Sequence, residues 1–282
     1  MIPVFVISLK RVPQRRAAIC AELEALRVAC TLIEAVDGKT LSEEAARAMA
    51  PGRRRLTLRW PLSNGEIGCA ASHRLAIERV LQSGAAFGCV LEDDGKPAAA
   101  FAQFLDADWL AGLPAFDFLK LAGEEGSSNE LLAVPIGRRA GYRVCVPLHP
   151  SYSARGYIVS RRGAARALAR LRLIDDSVDV MLFRRPRTAL RFLDVRPGVV
   201  GMTGAESTLH AERWHGAPAP WWRPALSWAP HRLALMERKL RRYVGFLRAL
   251  GPGGFRRIEV IPLEEKHAAA AGRNAPRSQP AA

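Results

Sequence analysis

The stretch "CVLEDDGKP", residues 89–97, ends an apolar run on three adjacent acids, Glu92, Asp93 and Asp94. With the residues before it, "AFGCVLED" (86–93) reads as a buried strand that stops at the triplet. Like charges this close repel, and each raises the pKa of its neighbours unless a cation is shared. In an extended chain, alternate side chains face one side. Glu92 and Asp94 are then expected to converge on one ion while Asp93 turns away. Oxygen ligands suit Mg²⁺ or Mn²⁺, which usually keep substrate phosphates in their shell. A solvated turn with a helix-capping aspartate is the other reading of the triplet alone.

Outward from this strand, the chain alternates two periods. "IPVFVISL" (2–9), "CTLIEAVDG" (30–38), "FDFLKLAG" (116–123), "YRVCVPL" (142–148), "ARGYIVS" (154–160) and "ALRFLDV" (189–195) read as strands. Pro13 suits a first helical position ahead of "QRRAAICAELEAL", and Ser42 is placed to cap "LSEEAARAMA". "SNGEIGCAASHRLAIERVLQSG" (63–84) is a strong helix, with Asn64 as expected cap and Gly84 as its end. "RRGAARALARL" and the short "SVDVMLF" (177–183) read as helices. This alternation predicts an α/β domain with a largely parallel sheet. Ligands of such sheets lie beyond the carboxyl ends of the strands. Asp37, in "AVDG", and the acidic triplet share that rim.

The chain has 282 residues, 49% hydrophobic and 24% charged, an ordinary globular composition. No apolar run approaches the roughly 18 residues of a spanning helix. The N-terminus lacks a basic start and a small-residue cleavage site, so it reads as a first strand and not as a secretory signal. Five cysteines without a C-x-x-C pair argue against a disulfide framework or a structural zinc site. The reducing cytoplasm is the expected compartment. A net charge of +15 favours anionic partners without choosing among them. From residue 212 onward thirteen Lys/Arg face five Asp/Glu, so the tail carries more than half of the excess.

Two further groups carry chemistry. In "GEIGCAASH", Glu66 and His73 lie nearly on one helical face, two turns apart. The small residues between them, Gly68, Ala70, Ala71 and Ser72, permit close backbone approach. His73 is a candidate for contact with a phosphate or sugar hydroxyl, or for holding the triplet in place. After the first strand, Lys10, Arg11, Arg15 and Arg16 are placed to meet a diphosphate, for which arginine offers a bidentate fork.

In order and spacing, seven segments resemble glycosyltransferase family 25. They are "VFVISLKRVPQRR", "IEAVDGKTL", "GEIGCAASHRLAIERVL", "CVLEDDGKP", "SARGYIVSRRGAARAL", "SVDVMLF" and "DVRPGVVGMTGAESTL", between about residues 2 and 209. The resemblance implies a GT-A-like nucleotide-sugar fold and an inverting transferase. The implied donor is a UDP-sugar, often UDP-galactose, used with Mn²⁺ or Mg²⁺. On it, Glu92, Asp93 and Asp94 are the metal motif and Asp37 meets the uridine. Gly95 replaces the bulky apolar residue that commonly follows the triplet, and Ala71 stands where a larger residue is common. An inverting transfer needs one general base for the acceptor hydroxyl. Asp179, an acid among apolar neighbours in "SVDVMLF", is the first candidate. Glu66 is the second, with Glu124 and Glu125 ranked third.

The expected organisation is a transferase domain at 1–211, a Trp-rich linker and basic amphipathic helix at 212–266, and a disordered end at 267–282. In "HRLALMERKLRRYVGFLRAL", Leu233, Met236, Leu240, Tyr243, Leu247 and Leu250 form one apolar stripe. Arginines flank it, and four tryptophans precede it. That pattern suits an interfacial helix on an anionic membrane, at the inner face of the plasma membrane. The expected acceptor is a glycan or lipid-linked core oligosaccharide. The alternatives are another UDP-hexose or UDP-N-acetylhexosamine as donor, a catalytically dead relative, or a basic polyanion-binding protein. No nucleic-acid-binding motif is present, so nucleic acid is not an expected partner.

Overall fold

The computed structural model describes residues 1–52, 62–123, 130–148, 153–183 and 190–203, and beyond them 236, 244, 251, 253 and 257–262. Its elements run β1 (Val4–Ser8), α1 (Pro13–Ala25), β2 (Thr31–Glu34), α2 (Glu43–Met49), α3 (Asn64–Gln82), β3 (Phe87–Glu92) and β4 (Gly95–Pro97). A 3₁₀ turn (Phe101–Leu105), α4 (Ala107–Gly112), β5 (Phe118–Lys120), β6 (Glu130–Arg139), β7 (Tyr142–Pro147) and β8 (Gly156–Ser160) follow. The remainder is α5 (Arg161–Leu171), α6 (Val178–Phe183), β9 (Phe192–Arg196), β10 (Val200–Met202) and β11 (Glu259–Pro262).

Among the described residues, nine strands form one sheet in the order β11-β6-β7-β9-β5-β8-β3-β1-β2, and β10 pairs with β4 separately. The α/β class and the GT-A-like layering follow the expectation. The sheet itself is mixed. β1 pairs in parallel with β2 and β3, and β5 with β9. The other pairings in the sheet are antiparallel. Helical periodicity flags crossovers only where a helix stands between two strands. The hairpin β6–β7 has no helix in it, and β6 was not foreseen.

Strand alternation sorts the side chains into two cores, one on each face. Phe5, Ile7, Val90, Phe118 and Phe192 join α2, α3, α5 and α6 on one side. Val4, Val6, Cys89, Leu91 and Leu193 join α1, the 3₁₀ turn and α4 on the other. Continuous apolar strands with helices on both faces give this three-layer packing.

Capping explains several boundaries. Pro13 opens α1, and the Ser42 hydroxyl accepts from Ala45 N–H at the start of α2. Ser63, not Asn64, caps α3: its hydroxyl accepts from Glu66 N–H, while Glu66 Oε2 accepts from Ser63 N–H. That reciprocal pair satisfies two otherwise orphaned donors. Gly84 follows the helix at φ 72°, a left-handed position that suits glycine.

β11 lies within the segment expected to be a separate tail, yet it pairs antiparallel with β6 at the sheet edge. The basic helix expected around it lies outside the described residues apart from Met236 and Val244, which are helical and exposed. Glu124, Glu125 and the tail tryptophans also lie outside them. Among the described residues, no helix is long and apolar enough to cross a membrane. Among the described residues, the five cysteines form no disulfide.

Candidate active-site cleft

A cleft opens where the carboxyl ends of β1, β2 and β3 meet the N-terminal half of α3. It measures about 700 Å³ including its open mouth. Ser8, Arg11, Arg15, Asp37, Cys69, His73 and all three acids of the triplet line it.

Close backbone contact builds the cleft wall. A Cβ on Gly68 would stand 2.5 Å from Val36 O, and one on Gly38 would stand 2.5 Å from Gly65 Cα. The loop after β2 therefore lies directly on α3, which only glycine at these positions permits. Ser72 fastens the two together. Its hydroxyl donates to Gly68 O at 2.7 Å and accepts from Val36 N–H at 2.8 Å. This contact delivers Asp37 to the rim. Asp37 Oδ2 accepts from Arg11 Nε at 2.6 Å, and Oδ1 accepts from Lys39 N–H at 3.0 Å. Desolvation is the largest single effect and opposes ionisation, but the Arg11 hydrogen bond, the Lys39 N–H and the charges of Arg11 and Lys39 together outweigh it, and the carboxyl sits below its ordinary pKa.

The acidic triplet does not continue as a strand. β3 ends at Glu92, and Asp93 and Asp94 form a turn into β4. The alternation expected for Glu92 and Asp94 therefore does not apply, and the turn brings all three acids to one cleft. Each has a different neighbour. Glu92 Oε1 lies 2.9 Å from His73 Nε2. Asp93 Oδ1 lies 3.5 Å from Arg15. Asp94 lies between Arg155, at 3.6 Å, and Arg15, at 4.0 Å.

These neighbours separate the acids electrostatically. Burial opposes ionisation of Glu92, but the bond and charge of His73, with Arg155 and Arg15, hold its pKa below the ordinary value. Burial raises Asp93, partly offset by Arg15. Burial, then the negative charge of Glu92, push Asp94 up to about 6 despite both arginines. Asp94 Oδ1 is buried and makes no hydrogen bond, and Arg155 Nε is likewise without one. This crowded oxygen accepts no hydrogen bond, and Arg155 Nε stands off from it at 3.6 Å, a state that a cation would relieve, so this donor set fits a divalent ion.

The described wall does not include Lys10, Glu66 or Asp179. Lys10 is exposed in the turn after β1. Glu66 is engaged in the α3 cap. Asp179 stands in the first turn of α6, part-exposed. Three contributors were not foreseen from sequence. Arg155 precedes β8 inside "SARGY", where its arginine gave no sign of the Asp94 contact. Tyr157 is fully buried, with Oη 3.0 Å from His73 Nδ1. Cys69 lies one turn before His73 and was not singled out among the five cysteines.

Sequence comparison agrees with this geometry. Residues 1–128 match the sequence model of glycosyltransferase family 25 (LPS biosynthesis protein). This part of the chain is similar to family 25 glycosyltransferase sequences. The matched segment contains β1 to β3, α3 and the whole acidic triplet. Over 195 residues the chain is 31% identical to "Probable inactive glycosyltransferase 25 family member 3" of Rattus norvegicus, covering 65% of this chain and 33% of that protein. It is 28% identical over 202 residues to "Procollagen galactosyltransferase 1" of Danio rerio, covering 65% and 32%. The chain thus spans about a third of the length of the curated relatives it matches.

Proposed function

We propose that this chain is an inverting hexosyltransferase that moves galactose from UDP-galactose to a glycan, assisted by a divalent metal. The observation that carries the reading is the cleft itself: three acids, one with a buried oxygen that accepts no hydrogen bond, lie with Arg11, Arg15 and Arg155 at the carboxyl ends of parallel strands. Glu92 and Asp94 would hold Mn²⁺ or Mg²⁺, with Asp93 beside them. Arg11, Arg15 and Arg155 would contact the diphosphate, Asp37 the nucleoside, and His73 would fix Glu92. The bound cation would neutralise charge that builds on the leaving diphosphate. A procollagen galactosyltransferase among the relatives supports galactose, and the family description supports a lipopolysaccharide-type acceptor. A lipid-linked acceptor would suit the basic tail and a peripheral position on the cytoplasmic membrane face.

Asp179 is proposed as the base, on an acceptor side that reaches α6 beyond the described cleft. Asp179→Asn is then expected to lower kcat roughly 10²-fold or more with donor binding little changed, because base catalysis contributes about 10² to 10⁴. Unchanged kcat would remove Asp179 from the mechanism.

A second reading follows from the relatives named inactive: a chain that binds a nucleotide sugar without transferring it. A panel of UDP-sugars with Mn²⁺ separates the two. UDP-galactose is expected to raise the melting temperature and to turn over. At a hundredfold excess over Kd, ligand binding alone adds about 2.7 kcal/mol of stability. Stabilisation without turnover selects the second reading, and no stabilisation by any UDP-sugar refutes both.

A further inference from the structure

Glu92, Cys69 and His73 make a second constellation within the cleft, chemically unlike the acidic triplet. Cys69 and His73 are four residues apart on α3, so they share a helical face one turn apart. Glu92 faces them from the end of β3. One ligand atom from each residue falls within 4.8 Å of the others. Cys69, His73 and Glu92 all line the cleft, so a fourth position opens towards its mouth.

We propose that Cys69, His73 and Glu92 form a binding site for a borderline-soft divalent metal, with Zn²⁺ as its natural occupant. Thiolate and imidazole select zinc-like ions over Mg²⁺ and Mn²⁺, which prefer all-oxygen shells. Three protein ligands with an open fourth position is the arrangement of exchangeable zinc sites. Zinc bonds of about 2.0–2.3 Å put tetrahedral ligand atoms about 3.5 Å apart, so the wider pairs, within 4.8 Å, close by about 1 Å and the His73–Glu92 pair, at 2.9 Å, opens slightly.

The surroundings support this set. Tyr157 is wholly buried, and its hydroxyl holds His73 Nδ1 at 3.0 Å, leaving Nε2 aimed at Glu92. Ligating histidines usually have their second nitrogen held this way. Without metal, the imidazole bridges Glu92 at Nε2 and the Tyr157 hydroxyl at Nδ1. With metal, the proton sits on Nδ1 and is donated to Tyr157 Oη, whose hydrogen rotates away. Nε2 and Glu92 then bind the ion, and Cys69 does so as thiolate. The metal takes the place of the Cys69 thiol proton and of any proton on Nε2. The site does not depend on the transferase reading, because its ligands bind metal whether or not sugar is transferred. It shares Glu92 with the triplet, so Zn²⁺ there competes with an all-oxygen ion.

The test titrates the full, reduced chain with Co²⁺ alone and follows its spectrum. The expected result is a saturable near-ultraviolet thiolate-to-cobalt band with visible bands of tetrahedral intensity, both erased by Zn²⁺. Cys69→Ser should abolish the thiolate band, and Glu92→Gln should weaken Co²⁺ binding at least about tenfold. A Cys20→Ser/Cys30→Ser double variant should keep the band, because that partly exposed pair lies on α1 and before β2, outside the cleft lining. Circular dichroism checks that each variant is folded, with Cys69→Ala as the replacement if Cys69→Ser is not. Absence of the band in the unmodified chain, or its survival in the folded Cys69 variant, overturns the proposal.

Discussion

Asp94→Asn is expected to stabilise the metal-free fold at neutral pH while abolishing transfer. The Asp94 side chain is only 17% exposed, and burial with the charge of Glu92 lifts its pKa from 3.8 to about 6. Between those values the folded protein holds a proton that the unfolded chain has already released. Stability therefore falls as pH rises through this window and stays lower above it. At about 1.36 kcal/mol per pKa unit, the full penalty is about 3 kcal/mol. Asparagine keeps the shape and carries no charge, so it removes the penalty. Urea unfolding of both proteins, in chelator, at a series of pH values between 4 and 7.5 measures this. The two should agree to within about 0.5 kcal/mol near pH 4, and the variant should exceed the parent by about 2–3 kcal/mol near pH 7. Mn²⁺-dependent transfer should be lost in the same variant. A variant less stable than the parent at pH 7 would show that Arg15 and Arg155 more than compensate the buried charge. A constant difference across the pH range would show that Asp94 does not titrate in the window. Either result refutes the reasoning.

Other outcomes follow from specific contacts. Asp117 is wholly buried and accepts from Arg162, Arg166 and Arg191 N–H, so Asp117→Ala should cost about 2–4 kcal/mol in denaturant unfolding by leaving these donors short of a partner. Gly68→Ala forces its Cβ against Val36 O and should cost about 1–3 kcal/mol, with weaker UDP-sugar binding measured by calorimetry. Replacing Arg238, Lys239, Arg241 and Arg242 by alanine should reduce co-sedimentation with anionic vesicles, at about 1 kcal/mol per residue lost near the surface. Equal sedimentation by both forms would exclude these residues as the anchor.

Most of the architecture was legible because it rests on local rules. Apolar runs such as "VFVIS" and "FGCVL" can only be buried on both faces, so their strands, the α/β class and the shared rim of Asp37 and the triplet followed from periodicity. Pro13, Ser42 and Gly84 marked helix ends because their backbone chemistry is local. Ser63 was missed as the cap of α3 because serine and asparagine are nearly equal caps, and only the loop's approach to the helix decides between them. The small residues of "GEIGCAAS" announced a tight contact without saying with what. The partner, the loop 36–38 after β2, became known only from the fold.

Tertiary structure alone decided how the charges pair. Arg155 reaches Asp94 from a loop 61 positions later in the chain, and Tyr157 meets His73 across 84 positions, separations at which periodicity carries no information. The direction of Asp93 also depended on where β3 stopped, since one residue of turn in place of strand reverses which face a side chain takes. Strand direction was likewise undecided. Parallel and antiparallel neighbours share the same apolar pattern when both faces are covered, so the mixed sheet and the addition of β11 to its edge are set by where connections can run. Composition and spacing thus place the acids at a strand end. Their separate pKa values, and the sulfur and imidazole beside Glu92, exist only because α3, β3 and β8 converge there.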